Sequence, residues 1–131
     1  MTAKTLLSLS VAIPAALGAA IVALSPAGAA PSGPDGATLF RQKCGVCHSV
    51  TPGARAILAP SLLRIVGRKA ASTTFNYSPA LKASNVTWTR ANLDQFLQGP
   101  GRMVPGTRMV VMVNDAQQRA AIVRYLAAPA S

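Results

Sequence analysis

Residues 41–50 read RQKCGVCHSV, and this stretch constrains the chain more than any other. It holds both cysteines, Cys44 and Cys47, and the only histidine, His48. The spacing is C-x-x-C-H, the attachment pattern for c-type haem. In that chemistry each thiol adds across one porphyrin vinyl group, and the adjacent imidazole is placed to bind the iron. Three other chemistries compete. A thioredoxin-like dithiol needs a βαβ setting, and none is discernible along the chain. Zinc needs three or four ligands, and two thiols with one imidazole are the only strong zinc ligands here. A tight disulfide is open to an exported protein, but it leaves the sole histidine without a role.

Export is the reading of the N-terminus. Residues 1–29 combine Lys4, an apolar run from Leu6 to Leu24, and Ala27-Gly28-Ala29. The last three fit the small-x-small cleavage pattern of a secretory signal peptide. The alternative is an uncleaved membrane anchor, because the run is nearly long enough to span a bilayer. Pro14 and Gly18 interrupt it. Residues 30–35 read as a linker and residues 36–131 as a single domain. Setting Lys4 aside from thirteen Lys and Arg leaves twelve against Asp35, Asp94 and Asp115, a net charge near +9 with no Glu. Such a charge attracts acidic partners. The basic residues are scattered, with Arg68-Lys69 the only adjacent pair, so nucleic acid is not the expected partner.

The domain reads as all-α with long loops. Asp35 can cap a helix running from Gly36 towards the cysteines, with Leu39 and Phe40 on its apolar side. Residues 49–86 are rich in Pro, Gly, Ser, Thr and Asn, and only 61–68 and 78–84 show helical or turn-like apolar spacing. So long an irregular segment suits a chain that wraps a large rigid ligand. Thr89 can cap a helix through Gln98, with Trp88 and Leu93 in staple positions and Gly99-Pro100 as its stop. A loop is expected over 101–113. The last helix is expected from about Asp115 to Ala127, capped by Asn114 with Gln117 in a capping box. Ile122, Tyr125 and Leu126 form its apolar face. No strand is expected.

A methionine thioether is the usual partner of histidine on the iron of cytochromes c. Outside the N-terminal segment the methionines are Met103, Met109 and Met112, and any one of them is core filler by default. Pro105-Gly106-Thr107 makes a turn that can present the following side chains inward, and Met109 follows it closely.

At this point the chain resembles a class I c-type cytochrome of the mitochondrial and small soluble bacterial type. The segments that carry the resemblance are GATLFRQKCGVCHSV, APSLLRIVGRK, FNYSPAL, TWTRANLDQFLQGPGRMVPGTRM and AAIVRYL. They span roughly residues 36–127. The resemblance implies a small all-α cytochrome c fold, three to five helices with long loops around one covalent haem. It implies haem attachment through Cys44 and Cys47, with His48 and Met109 as axial ligands of the iron. Pro60 would hold the histidine ring through its carbonyl. Tyr77, Trp88, Arg68 and Thr107 match positions of the polar shell around the haem propionates. Trp88, Tyr77 and Arg68 also have bland readings, as core aromatics and a surface charge. Phe96 stands where many relatives carry a tyrosine. Gly36 and Phe40 match a helix crossing with Ile122 and Tyr125. Leu81 and Ala56 depart from the mitochondrial pattern, which has a polar pocket residue and a structural histidine there.

The expected function is one-electron carriage in the periplasm, between a quinol-oxidising complex or dehydrogenase and a terminal oxidase or similar acceptor. With both axial positions filled by protein, no enzymatic activity is expected. Lys43, Lys69, Arg102 and Arg108 are expected near an exposed haem edge, where acidic redox proteins would dock transiently. Membrane contact is expected only through partner complexes, unless the N-terminal segment is retained. Two rivals stand beside this reading. One is a haem peroxidase or gas sensor with a labile sixth ligand. The other is a membrane-tethered electron-transfer subunit.

Overall fold

The computed structural model describes residues 33, 35–54 and 58–128. The signal or anchor segment 1–29, most of the linker, and Ala56 lie outside these residues. Among the described residues no helix is long and apolar enough to cross a membrane.

Among the described residues five helices form, most with a local cause. Helix α1, Gly36–Lys43, starts at Asp35, whose carboxylate accepts from the amides of Ala37 and Thr38. Helix α2, Pro79–Ala83, is capped by Ser78 and has proline at its first position, where the missing N–H costs nothing. Helix α3, Arg90–Gln98, begins with a reciprocal capping box between Thr89 and Asn92. Gly99 ends α3, and Pro100 then opens a four-residue helix, α4, Pro100–Met103. That helix stands at the start of the expected 101–113 loop. The proline that stops one helix supplies the preset φ that starts the next.

Helix α5, Ala116–Ala127, departs from expectation at its start. Asp115, not Asn114, is the N-cap, and its carboxylate accepts from the amide of Gln118. The Asn114 carbonyl is instead held by the Arg119 guanidinium at 2.8 Å. That side-chain bond, from five residues further on, takes up the Asn114 carbonyl, and the cap falls one residue later.

No strand forms among the described residues. One antiparallel bridge joins Lys69 and Thr87. Around it the Gly67 amide donates to Trp88 carbonyl at 2.7 Å and the Trp88 amide to Arg68 carbonyl at 2.8 Å. These bonds pin the irregular middle of the chain against the residues leading into α3.

The core lies where α1, α3 and α5 meet. Ile122 is fully buried, and Leu39, Phe40, Leu93, Leu97 and Leu126 surround it. Helices α1 and α5 cross at Gly36, where an added Cβ would overlap the Ala121 carbonyl and Tyr125. The missing side chain lets the two backbones approach. The Phe40 and Tyr125 rings then pack with centroids 5.4 Å apart.

Candidate functional site

The first cysteine ends α1. The amides of Cys44 and Gly45 both donate to the Phe40 carbonyl at 2.8 Å. The amides of Cys47 and His48 in turn donate to the Cys44 carbonyl, at 3.0 and 2.9 Å. This coiling places both thiols and the imidazole on the wall of one cavity of about 310 Å³. Both cysteines are free thiols, Cys44 buried and Cys47 exposed. Burial holds the Cys44 thiol above the usual cysteine range, against a smaller pull from Lys43. Dithiol exchange favours the opposite, a thiol whose pKa is depressed. Among the described residues no group of three or more His, Cys, Asp or Glu could hold a metal ion, so a four-ligand zinc site is not assembled.

His48 is held from behind. Its Nδ1 lies 2.7 Å from the Pro60 carbonyl oxygen. A carbonyl only accepts, so Nδ1 carries the proton and Nε2 keeps its lone pair. Burial lowers the pKa of the ring, outweighing the opposing bond to Pro60. The imidazole is thereby kept in the neutral form that binds a metal.

Met109 reaches the same cavity from the loop after α4. Pro105 and Gly106 form the centre of a tight turn, with the Thr107 amide donating to the Val104 carbonyl at 3.0 Å. Gly106 has φ +88°, which a type II turn requires at that position. The Thr107 hydroxyl accepts from the Met109 amide at 3.3 Å, and the Arg108 guanidinium donates to the Asn76 carbonyl. Thr107 and Arg108 also line the cavity.

Six more residues singled out by sequence lie on this wall, whereas Met103 and Met112 do not. Pro60, Arg68, Tyr77, Trp88, Phe96 and Leu81 all contribute to it. Trp88 packs edge-on against Phe96 with ring centroids 4.9 Å apart. The Tyr77 hydroxyl pairs with the Thr73 hydroxyl at 2.7 Å. The Arg68 guanidinium donates to the carbonyls of Leu63 and Ser61, at 3.1 and 2.8 Å. Of the four cations expected near the cavity, Lys43, Lys69 and Arg108 line it. Arg102 does not; it turns back onto α3 and donates to the Gln98 carbonyl at 3.0 Å. That carbonyl is one of the last in α3, and a cation there also complements the helix dipole.

Several wall residues carried no signal that sequence reasoning used. Leu58, Val110 and Val111 line the cavity. Leu58 and Val110 are largely exposed. Scattered apolar residues in irregular chain have no period, so nothing in the sequence separates them from ordinary loop.

The wall fits a large, mostly apolar group with an acidic edge. Two thiols and a neutral imidazole supply covalent and metal-binding atoms, and leucines, isoleucine and aromatics supply apolar contact. Arg68 Nε is the one buried side-chain nitrogen or oxygen among the described residues without a hydrogen-bond partner. A buried orphan donor calls for an acceptor from outside the chain, and the propionates of a haem would supply one. Fold and wall together define a small helical haem protein.

The comparisons with known proteins agree. The family model described as Cytochrome c matches residues 34–128. The chain is 43% identical over 115 residues to cytochrome c2 of Rhodomicrobium vannielii, covering 86% of this chain and 91% of that protein. It is 39% identical over 105 residues to cytochrome c-554 of Methylosinus trichosporium, covering 79% and 74%. Among solved structures, cytochrome cH from Methylobacterium extorquens superposes with a TM-score of 0.64 at 35% identity, covering 70% of this chain and 92% of that one. The chain belongs to the cytochrome c family. Its cofactor is haem c with its iron, covalently bound, and its role is that of an electron carrier.

Proposed function

We propose that the chain is a monohaem periplasmic shuttle in which His48 and Met109 are the two axial ligands of the iron. The observation that carries this reading is the convergence of Cys44, Cys47, His48 and Met109 on one cavity from two distant parts of the sequence. Cys44 and Cys47 form the thioethers. Pro60 fixes the His48 ring through Nδ1 and strengthens Nε2 as a donor. Arg68 would offer its unpaired Nε to a propionate, and Tyr77, Trp88 and Thr107 would complete the polar side of the pocket. Bound haem iron supplies reversible one-electron chemistry at a potential raised by thioether ligation and apolar enclosure. Because protein fills both axial positions, no coordination site is left for a substrate, and the chain acts as a carrier rather than an enzyme.

Donor and acceptor are acidic redox proteins: a quinol-oxidising complex or dehydrogenase on one side, a terminal oxidase or similar acceptor on the other. Lys43, Lys69 and Arg108 lie at the cavity and favour such partners. Residues 1–29 act as a cleaved export signal, and the mass of the purified holoprotein distinguishes this from a retained anchor. Ligation is tested with Met109→Ala. The oxidised wild type is expected to show the thioether-to-iron charge-transfer band, and the variant is expected to lose it completely along with a lowered reduction potential. A band that survives the substitution would refute Met109 as ligand and point to Met103 or Met112, whereas an oxidised wild type without the band would favour the peroxidase or gas-sensor alternative.

A further inference from the structure

Arg119 is the one charged residue that is buried among the described residues, at 6% exposure. It lies in the first turns of α5 and makes three contacts. Its Nη1 donates to the carbonyls of Val113 and Asn114, at 2.9 and 2.8 Å. Its Nε donates to Asp94 Oδ1 of α3 at 3.0 Å. Burying a guanidinium is costly unless every contact is good.

The two carbonyls belong to the segment that carries Met109. Upstream, that loop is held by the Val104–Thr107 turn and by Arg108 on Asn76. Downstream, Val110, Val111 and Met112 make no recorded hydrogen bond, and Val110 is 81% exposed. The next fixed point is Val113, which is 2% exposed. Its amide donates to the Leu97 carbonyl at 2.8 Å, and its carbonyl accepts from Arg119. Arg119 therefore joins the downstream end of the methionine loop to α3 and α5 at once.

We propose that Arg119, steadied by Asp94, is a positioning residue that keeps Met109 on the iron. This rests on Met109 being an axial ligand. Removing Arg119 frees the Val113 and Asn114 carbonyls and lets the loop swing away without unfolding the helices. An external ligand that competes with the thioether reads this opening, since its apparent affinity scales with the population of the open state.

The test uses oxidised holoprotein and imidazole as the probe. Arg119→Met keeps the length and apolar stem while removing all three bonds. It is expected to bind imidazole about tenfold or more tightly than wild type. Its thioether-to-iron band is expected to melt well below the loss of helical signal. Asp94→Asn leaves Arg119 with both carbonyls and is expected to give a smaller increase, about threefold. It remains readable if Arg119→Met does not fold. Unchanged imidazole affinity in the variants that fold would overturn the proposal, as would band and helix midpoints that fall together, the mark of a purely structural role. The wild-type control separates the two readings. If oxidised wild type lacks the band, the ligation itself fails and the positioning role falls with it. If wild type shows the band and the variants behave as wild type, only the positioning role fails.

Discussion

Asp35 accepts from the Thr38 hydroxyl at 2.8 Å and from the Thr38 amide at 2.9 Å. Those bonds, the hydroxyl first, lower its pKa from the ordinary 3.8. A carboxylate whose folded pKa is depressed adds stability that is fully present above the unfolded value and is lost as pH falls through the folded one. Asp35→Asn keeps the cap geometry and removes the charge. The stability gap between wild type and Asp35→Asn is therefore expected to be constant around neutrality and to close as pH drops below 3.8. Denaturant titrations across that range measure it, and a gap that grows on acidification would contradict the assignment. Such short-range chemistry was legible in the sequence: Asp35, Thr89 and the C-x-x-C-H spacing act within a few residues of themselves. Arg68 was not. Its orphaned Nε depends on Leu63 and Ser61 carbonyls folding back around its guanidinium, and no local pattern marks that.

The helices show where local signals stop being sufficient. Thr89 and Asn92 define the start of α3 between themselves, so their positions in the chain suffice. The start of α5 depends on a side-chain bond that no capping pattern marks, because Arg119 claims the Asn114 carbonyl from five residues on. Asn and Asp are both good N-cap residues, and the bond from Arg119, itself tied to Asp94 of α3, favours Asp115. The crossing of α1 and α5 carries its own prediction. Gly36→Ala places a methyl against the Ala121 carbonyl and Tyr125, with rigid backbone on one side. It is expected to cost about 1–3 kcal/mol of stability by overpacking. A lower denaturant midpoint at unchanged slope would show it, and a midpoint at or above wild type would mean the helices separate freely. The haem spectrum is expected to stay unaltered, since Gly36 does not line the cavity.

At the scale of the whole molecule, charge governs encounter. Thirteen Lys and Arg against three Asp give the full chain a net charge of +10. Exposed charges are screened beyond about 10 Å at 0.1 M salt. Electron transfer from an acidic partner protein is therefore expected to slow by about tenfold or more between low ionic strength and about 0.2 M. Stopped-flow rates against salt provide the check, and a flat dependence would dismiss electrostatic docking. The long middle of the chain explains the division between what the sequence told and what it withheld. By itself the sequence determined the covalent half of the haem site, the all-α class and most helix starts, because those depend on residues within a turn or two of one another. It also set the net charge. Only the tertiary structure decided that Arg68 lines the pocket with its Nε unpaired, that Arg102 binds back onto α3 instead of lining it, and that Arg119 ties Asp94 to the methionine loop. Each of those outcomes depends on groups distant in sequence or on how irregular chain folds back on itself, and irregular chain has no period from which such contacts can be read.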